Sequence, residues 1–189
     1  MRRTLAAIAV LLLAACAEPP NREIDQAQGA IEAARAAGAD TYAVDEFTAA
    51  TTALDRARGA VKARDYRLAL NHALDANERA KEAAKQAATH KASVRSDAER
   101  QLLAASTALR GAEERVKTLS KGRLPPRDVT RFRKQLATAD QTLQKARAAL
   151  GRDDYLGAQS LITTATNEIK GTTGRINEAA KTRAMRRRR

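Results

Sequence analysis

The chain has 189 residues, a net charge of +13 from 35 Lys and Arg against 22 Asp and Glu, and 43% apolar residues. Alanine dominates, tryptophan is absent, and beyond the first residues the aromatics are Tyr42, Phe47, Tyr66, Phe132 and Tyr155. Alanine favours helix and buries little area, so a thick core is excluded and stability must come from long helices packed along small-residue seams. Runs of β-branched and aromatic residues with a period of two are missing, which excludes a sheet.

The chain opens with Met1-Arg2-Arg3, continues with the apolar stretch Leu5 to Leu13, and reaches Leu13-Ala14-Ala15-Cys16, which contains its only cysteine. A cationic start, a short apolar run and small residues before a cysteine are the layout of a bacterial lipoprotein signal peptide, residues 1–15. The run is roughly half of the about 20 residues needed to cross a bilayer, so it is no membrane span. A plain cleaved signal fits the length equally well, but it leaves Cys16 as a lone thiol in an oxidising compartment. Lipidation predicts that Cys16 carries the lipid, palmitate among its chains. What is known of such signals implies outer-membrane sorting when the next residue is not Asp. Ala17 therefore points to the outer membrane of a Gram-negative cell, facing the periplasm.

Five apolar stripes follow. Ile24, Ala27, Ile31 and Ala34 step by 3, 4, 3 and predict a short first helix ending at Gly38. Phe47, Ala50, Leu54, Ala57 and Val61 repeat the stepping. Between Tyr66 and Ser120 there is no proline, which predicts one helix of roughly 80 Å at about 1.5 Å per residue. Its stripe runs Ala73, Ala80, Ala84, Ala87, Val94, Ala98, Leu102, Ala105, Leu109, Ala112, Val116 and Leu119, and the spacing slips near Ala98, where the seam moves to another face. Val129 to Leu150 and Tyr155 to Ile176 carry the last two stripes, the latter with Thr172 as its polar intruder. The 3-4 alternation is the period of helices that pack along a seam.

The breaks contain a repeat. Arg56 to Tyr66 aligns with Lys145 to Tyr155 at an offset of 89 residues, and Gly38 to Phe47 aligns with Gly122 to Phe132. In both copies an Asp, Asp65 or Asp154, would cap the next helix. Tyr66 or Tyr155 would close the hairpin end, and Ala69 or Ala158 would let the backbones approach. The expected fold is all-α, an elongated antiparallel bundle or coiled coil of two three-helix units that share a central helix at about 66–120.

Ala34 to Ala43, then Leu54, Ala57 and Ala60, then Asp65-Tyr66-Arg67-Leu68-Ala69 resemble the alanine-rich envelope lipoproteins grouped as domain of unknown function 4398. The resemblance covers roughly residues 20 to 90, with a weaker echo in the second unit. Where members often have proline after the Tyr-Ala pair, Val44 stands here. The resemblance implies helical hairpins and an envelope location, and it implies no catalytic residues. Asp-Tyr-x-x-Ala also resembles the tetratricopeptide turn, but these helices are too long for a 34-residue repeat.

Charge is unevenly spread. From Ala17 to His90 there are 10 Lys and Arg against 12 Asp and Glu; from Lys91 to Arg189 there are 23 against 10. The chain thus reads as a signal peptide (1–15), lipidated cysteine and linker (16–21), near-neutral helical unit (22–90), basic helical unit (91–181) and Arg-rich tail (182–189). Dispersed cations on the basic unit serve as a solvated face, whereas Arg183, Arg186, Arg187, Arg188 and Arg189 form a cluster whose self-repulsion calls for an anionic partner. Nucleic acid is excluded by the exported address and by the lack of interleaved aromatics.

His72 and His90 lie 18 residues apart with no metal-ligand spacing, and the adjacent pairs Glu113-Glu114 and Asp153-Asp154 point to different helix sides. No phosphate loop or nucleophile elbow is present, so neither enzyme chemistry nor a cofactor is expected. The expected function is that of a structural, spacer or adaptor protein of the envelope. The alternative is a cationic binding module for lipopolysaccharide, anionic lipid or peptidoglycan. Expected partners are the membrane through Cys16, an envelope protein or anionic polymer at the Arg tail, and a second copy through the helical seams.

Overall fold

The computed structural model describes residues 18–188. They form α1 (Asn21–Ala36), α2 (Ala39–Tyr42), α3 (Val44–Lys62), α4 (Tyr66–Ser120), α5 (Pro126–Leu150) and α6 (Tyr155–Arg188), with no strand among the described residues. The all-α class and the central helix are as expected, and α4 runs unbroken between its anticipated bounds. The signal segment, Cys16 and Arg189 lie outside the described residues.

The first helix stops at Ala36 rather than at Gly38, and the one-turn helix α2 intervenes before α3. Gly38 is responsible. Its φ of 86° lies in the left-handed region, and a Cβ there would stand 3.3 Å from the Tyr42 ring. Gly122, its counterpart in the repeat, has a φ of 102°. Beyond it Pro125 and Pro126 start α5, with proline in the first turn, where a missing N–H breaks no helical bond.

The chain divides into two compact units, Met1–His90 and Lys91–Arg189. In the first, α1, α2, α3 and the beginning of α4 pack around a cluster in which only Ile31, Phe47 and Leu54 are large; its ten other buried members are alanines. Ala27, Ala34, Ala50, Ala76, Ala80, Ala83 and Ala87 are fully buried, so the seam is made by methyl groups that allow close backbone approach. In the second unit the core is bulkier, with Leu109, Val116, Phe132, Leu136, Leu143, Ile162, Ile169 and Ile176 in one cluster. Each large side chain buried in place of alanine contributes roughly 1–2 kcal/mol more transfer free energy. Thr172 is buried as the polar intruder, and its hydroxyl oxygen accepts a hydrogen bond from Arg175 at 3.1 Å.

Between Ala87 and Ala98 no residue of α4 is buried, and Val94 is half-buried rather than a full member of the seam. The slip in spacing expected near Ala98 falls in this stretch, where the helix carries both phases without a core contact of its own.

The two repeated corners share one geometry. Arg64 has a φ of 59° and Asp153, 89 residues on, a φ of 60°. The N–H of Asp65 donates to the Ala60 carbonyl at 3.0 Å, and that of Asp154 to the Ala149 carbonyl at 3.0 Å. Arg64 N–H to Val61 O at 2.9 Å and Asp153 N–H to Leu150 O at 3.1 Å complete the same left-handed helix stop twice. Each Asp then caps the following helix: Asp65 Oδ1 accepts from Leu68 N–H at 3.0 Å, and Asp154 Oδ1 from Gly157 N–H at 2.9 Å. Ala69 and Ala158 are fully buried at the crossing.

Candidate functional site

Tyr155, Asp153 and Asp154 have structural partners at the second corner. The Tyr155 hydroxyl donates to Asp153 at 2.5 Å, while Asp154 is the helix cap. The hydrogen bond to Asp153, followed by burial, pushes the Tyr155 phenol above its ordinary range. Lys91 and Arg95 of α4 lie 5.8 and 6.0 Å from the centre of the Tyr155 ring, so the tyrosine does close this hairpin against a partner helix. Arg95 is itself held above its usual value, chiefly by its hydrogen bond to Glu99. The exposed His90 ring donates from Nδ1 to the Tyr42 carbonyl at 2.7 Å. Among the described residues no three His, Cys, Asp or Glu side chains converge as a metal site. Glu168 buries one carboxylate oxygen without a hydrogen-bond partner.

One concave region gathers charge of a single sign. The last turns of α4 supply Arg115 and Leu119, the following turn supplies Arg123, and α6 supplies Asn177, Ala180, Lys181, Arg183 and Ala184. These residues line a groove of about 570 Å³ with four cations and no carboxylate. Its apolar base is the buried Leu119 with the half-buried Ala180, and its four cationic side chains are exposed. Arg115, Leu119 and Arg123 are spaced by four, so one helical row continued by the turn delivers two guanidiniums on either side of a leucine that docks on the core. None of the four cations makes an ion pair among the described residues. Elsewhere in the same unit Arg95, Arg100 and Arg131 are paired with Glu99, Asp97 and Asp128.

The expected anionic-partner residues are thus only partly brought together. Arg183 lines the groove. Arg186 is exposed on the same helix, Arg187 and Arg188 continue it, and Arg189 lies outside the described residues. The Arg-rich segment 182–188 is therefore the end of α6 rather than a separate element. Sequence reasoning missed Arg115 and Arg123 because the packing of α4 beside α6 creates the groove. The signal that could have found them is their placement four residues before and after Leu119, the last seam residue of α4.

A groove of similar size in the first unit makes a useful contrast. It too measures about 570 Å³, but Glu46, Asp75, Glu78 and Glu82 face Arg79, Lys81 and Lys85 there, and its charges nearly cancel. No helix among the described residues is long and apolar enough to cross a membrane.

Residues 22–98 match the protein family described as Domain of unknown function (DUF4398), the family that Ala34 to Ala43 and Asp65 to Ala69 resemble. The matched segment takes in α1, α2 and α3 and enters α4 as far as Ala98, the first buried residue beyond the uncovered stretch. Neither the curated proteins nor the solved structures include a match to the chain.

Proposed function

We propose that the protein is a non-enzymatic outer-membrane lipoprotein, anchored through Cys16 and facing the periplasm, that serves the cell envelope as a structural spacer or adaptor. The observation that carries this reading is the exposed end of α6, where Lys181 and Arg183 stand in solvent beside Arg115 and Arg123 and Arg186 is exposed further along the helix, all free of internal ion pairs among the described residues. Such an end attracts an anionic partner over a Debye length of about 8 Å at physiological salt. Support for anchoring comes from the short connection: only residues 17–20 separate Cys16 from the start of α1. The test is photo-crosslinking in intact cells from a position beside Arg186, with Cys16→Ser as the control. The adaptor reading expects one recurrent envelope protein in the crosslink and release of the variant from the membrane fraction. Recovery of no protein partner, or membrane retention of Cys16→Ser, refutes it.

The second reading, a cationic binding module for lipopolysaccharide, anionic lipid or peptidoglycan, is favoured by the groove itself. Its binding must weaken steeply with salt and fall when residues 183–189 are deleted.

A further inference from the structure

We infer that the groove between the end of α4 and α6 is a preformed receptor for an organic group bearing two phosphates. The inference rests on the second reading, that the basic end binds anions, and deepens it by naming the ligand chemistry.

The lining carries four formal positive charges, from Arg115, Arg123, Lys181 and Arg183, and no negative one. A single carboxylate leaves three of them uncompensated. A phosphate monoester carries about −1.5 to −2 charge at neutral pH, so two such groups match the four cations. Three of the four are arginines, whose planar forks hold phosphate oxygens two at a time, whereas lysine acts as a point charge. Size points the same way. A volume of about 570 Å³ is far more than one inorganic ion fills. It lies within the roughly 300–1,000 Å³ of grooves that hold small organic molecules. Leu119, Ala180 and Ala184 offer an apolar floor for a carbon framework between the phosphates, and the Asn177 amide can serve a hydroxyl.

The competing account is that these cations only serve the helix ends. Ser120 closes α4 and the Arg-rich turn closes α6, and cations near a helix C-terminus stabilise it by roughly 0.3–1 kcal/mol. That account predicts a loss of stability on substitution and no ligand. It does not explain why Arg183 and Arg186 stand three residues apart on α6, where like charges repel. A polyanion bridging α4 and α6 removes that repulsion.

Calorimetric titration of the full chain with fructose 1,6-bisphosphate and with inorganic phosphate tests the proposal. It is paired with sedimentation on phosphatidylcholine vesicles containing either phosphatidylinositol 4-phosphate, with two phosphates, or phosphatidylglycerol, with one. At about 0.15 M salt the bisphosphate is expected to bind one to one and at least tenfold more tightly than inorganic phosphate, about 1.4 kcal/mol. The double variant Arg115→Gln/Arg123→Gln should lose at least tenfold in affinity with its helical circular dichroism unchanged, and Lys81→Gln in the charge-balanced groove should lose nothing. Binding of the soluble bisphosphate as tightly as of the two-phosphate vesicles identifies a free ligand, and a marked preference for those vesicles identifies a lipid head group; both support the site. Equal binding to the two vesicle types, or affinity untouched in the double variant, overturns it. If the double variant still binds anionic vesicles and deletion of residues 183–189 abolishes that binding, the cationic-module reading stands while the groove proposal falls.

Discussion

The two corners have the same backbone and different side chains, so they answer the same substitution differently. Arg64 and Asp153 both sit at φ near 60°, which is strained by about 1–2 kcal/mol for a residue with a Cβ. Glycine relieves the strain, and its extra freedom in the unfolded chain takes back about 0.5–1 kcal/mol. Arg64 is exposed and makes no ion pair among the described residues, so Arg64→Gly should stabilise its unit by about 0.5–1 kcal/mol. Asp153 tolerates the left-handed region better to begin with, so less strain is there to relieve. It also accepts the hydroxyl of the buried Tyr155, and a hydrogen bond to a charged acceptor is worth about 1.5–3 kcal/mol. Asp153→Gly should therefore destabilise by about 1–2 kcal/mol despite the identical backbone. Hydrogen exchange followed by mass spectrometry, on peptides spanning residues 60–70 and 149–159, reads each corner separately across a urea series. Equal stabilisation by the two glycines would refute the assignment of Asp153 as the tyrosine's anchor and the strain argument built on it.

Three further outcomes follow from particular contacts. Because Asp153 and burial raise the Tyr155 phenol above its ordinary value, the folded chain keeps that proton where the unfolded chain releases it. The associated stability is complete below about pH 10 and is lost as pH rises further, so the stability difference between wild type and Tyr155→Phe should shrink above about pH 10. A difference that stays constant in urea midpoints across that range contradicts the linkage. Gly171 and Gly174 lie exposed in α6 with nothing near the position of an added Cβ, and each change to Ala should raise stability by about 0.5–1 kcal/mol in thermal melts. Ala80 is fully buried in the alanine seam, and Ala80→Leu should overpack it at a cost of about 1–3 kcal/mol, seen as faster exchange in α1 and α3.

Where large side chains mark the seam, the fold was legible. Every position of the stripe Tyr155, Ala158, Ile162, Ala165, Ile169, Thr172 and Ile176 is buried, because leucine-sized residues or their neighbours leave no choice of face. In the first half of α4 the same reasoning blurs. Ala73, Ala80 and Ala87 were expected in the seam and are buried, but so are Ala76 and Ala83, while Ala84 is only half-buried. Alanine on both sides of a helix carries no phase information, and only packing against α1 and α3 decides which methyl groups leave solvent. The short helix α2 escaped notice because one turn shows no periodicity. The anion groove was half legible: the α6 cations stand in a visible cluster, whereas Arg115 and Arg123 enter it only once α4 and α6 lie side by side.

The aspartates at the corners have a consequence for how a hairpin comes apart. The backbone N–H of Asp65 closes α3 through Ala60, and its carboxylate opens α4 through Leu68; Asp154 does both jobs between α5 and α6. No independent linker lies between the last bond of one helix and the first of the next. Fraying at such a corner must release both helices at once, so each hairpin behaves as one cooperative opening unit rather than as two helices that melt in turn. In a unit cemented by alanine methyl groups, that shared residue is what makes partial opening an unprofitable intermediate.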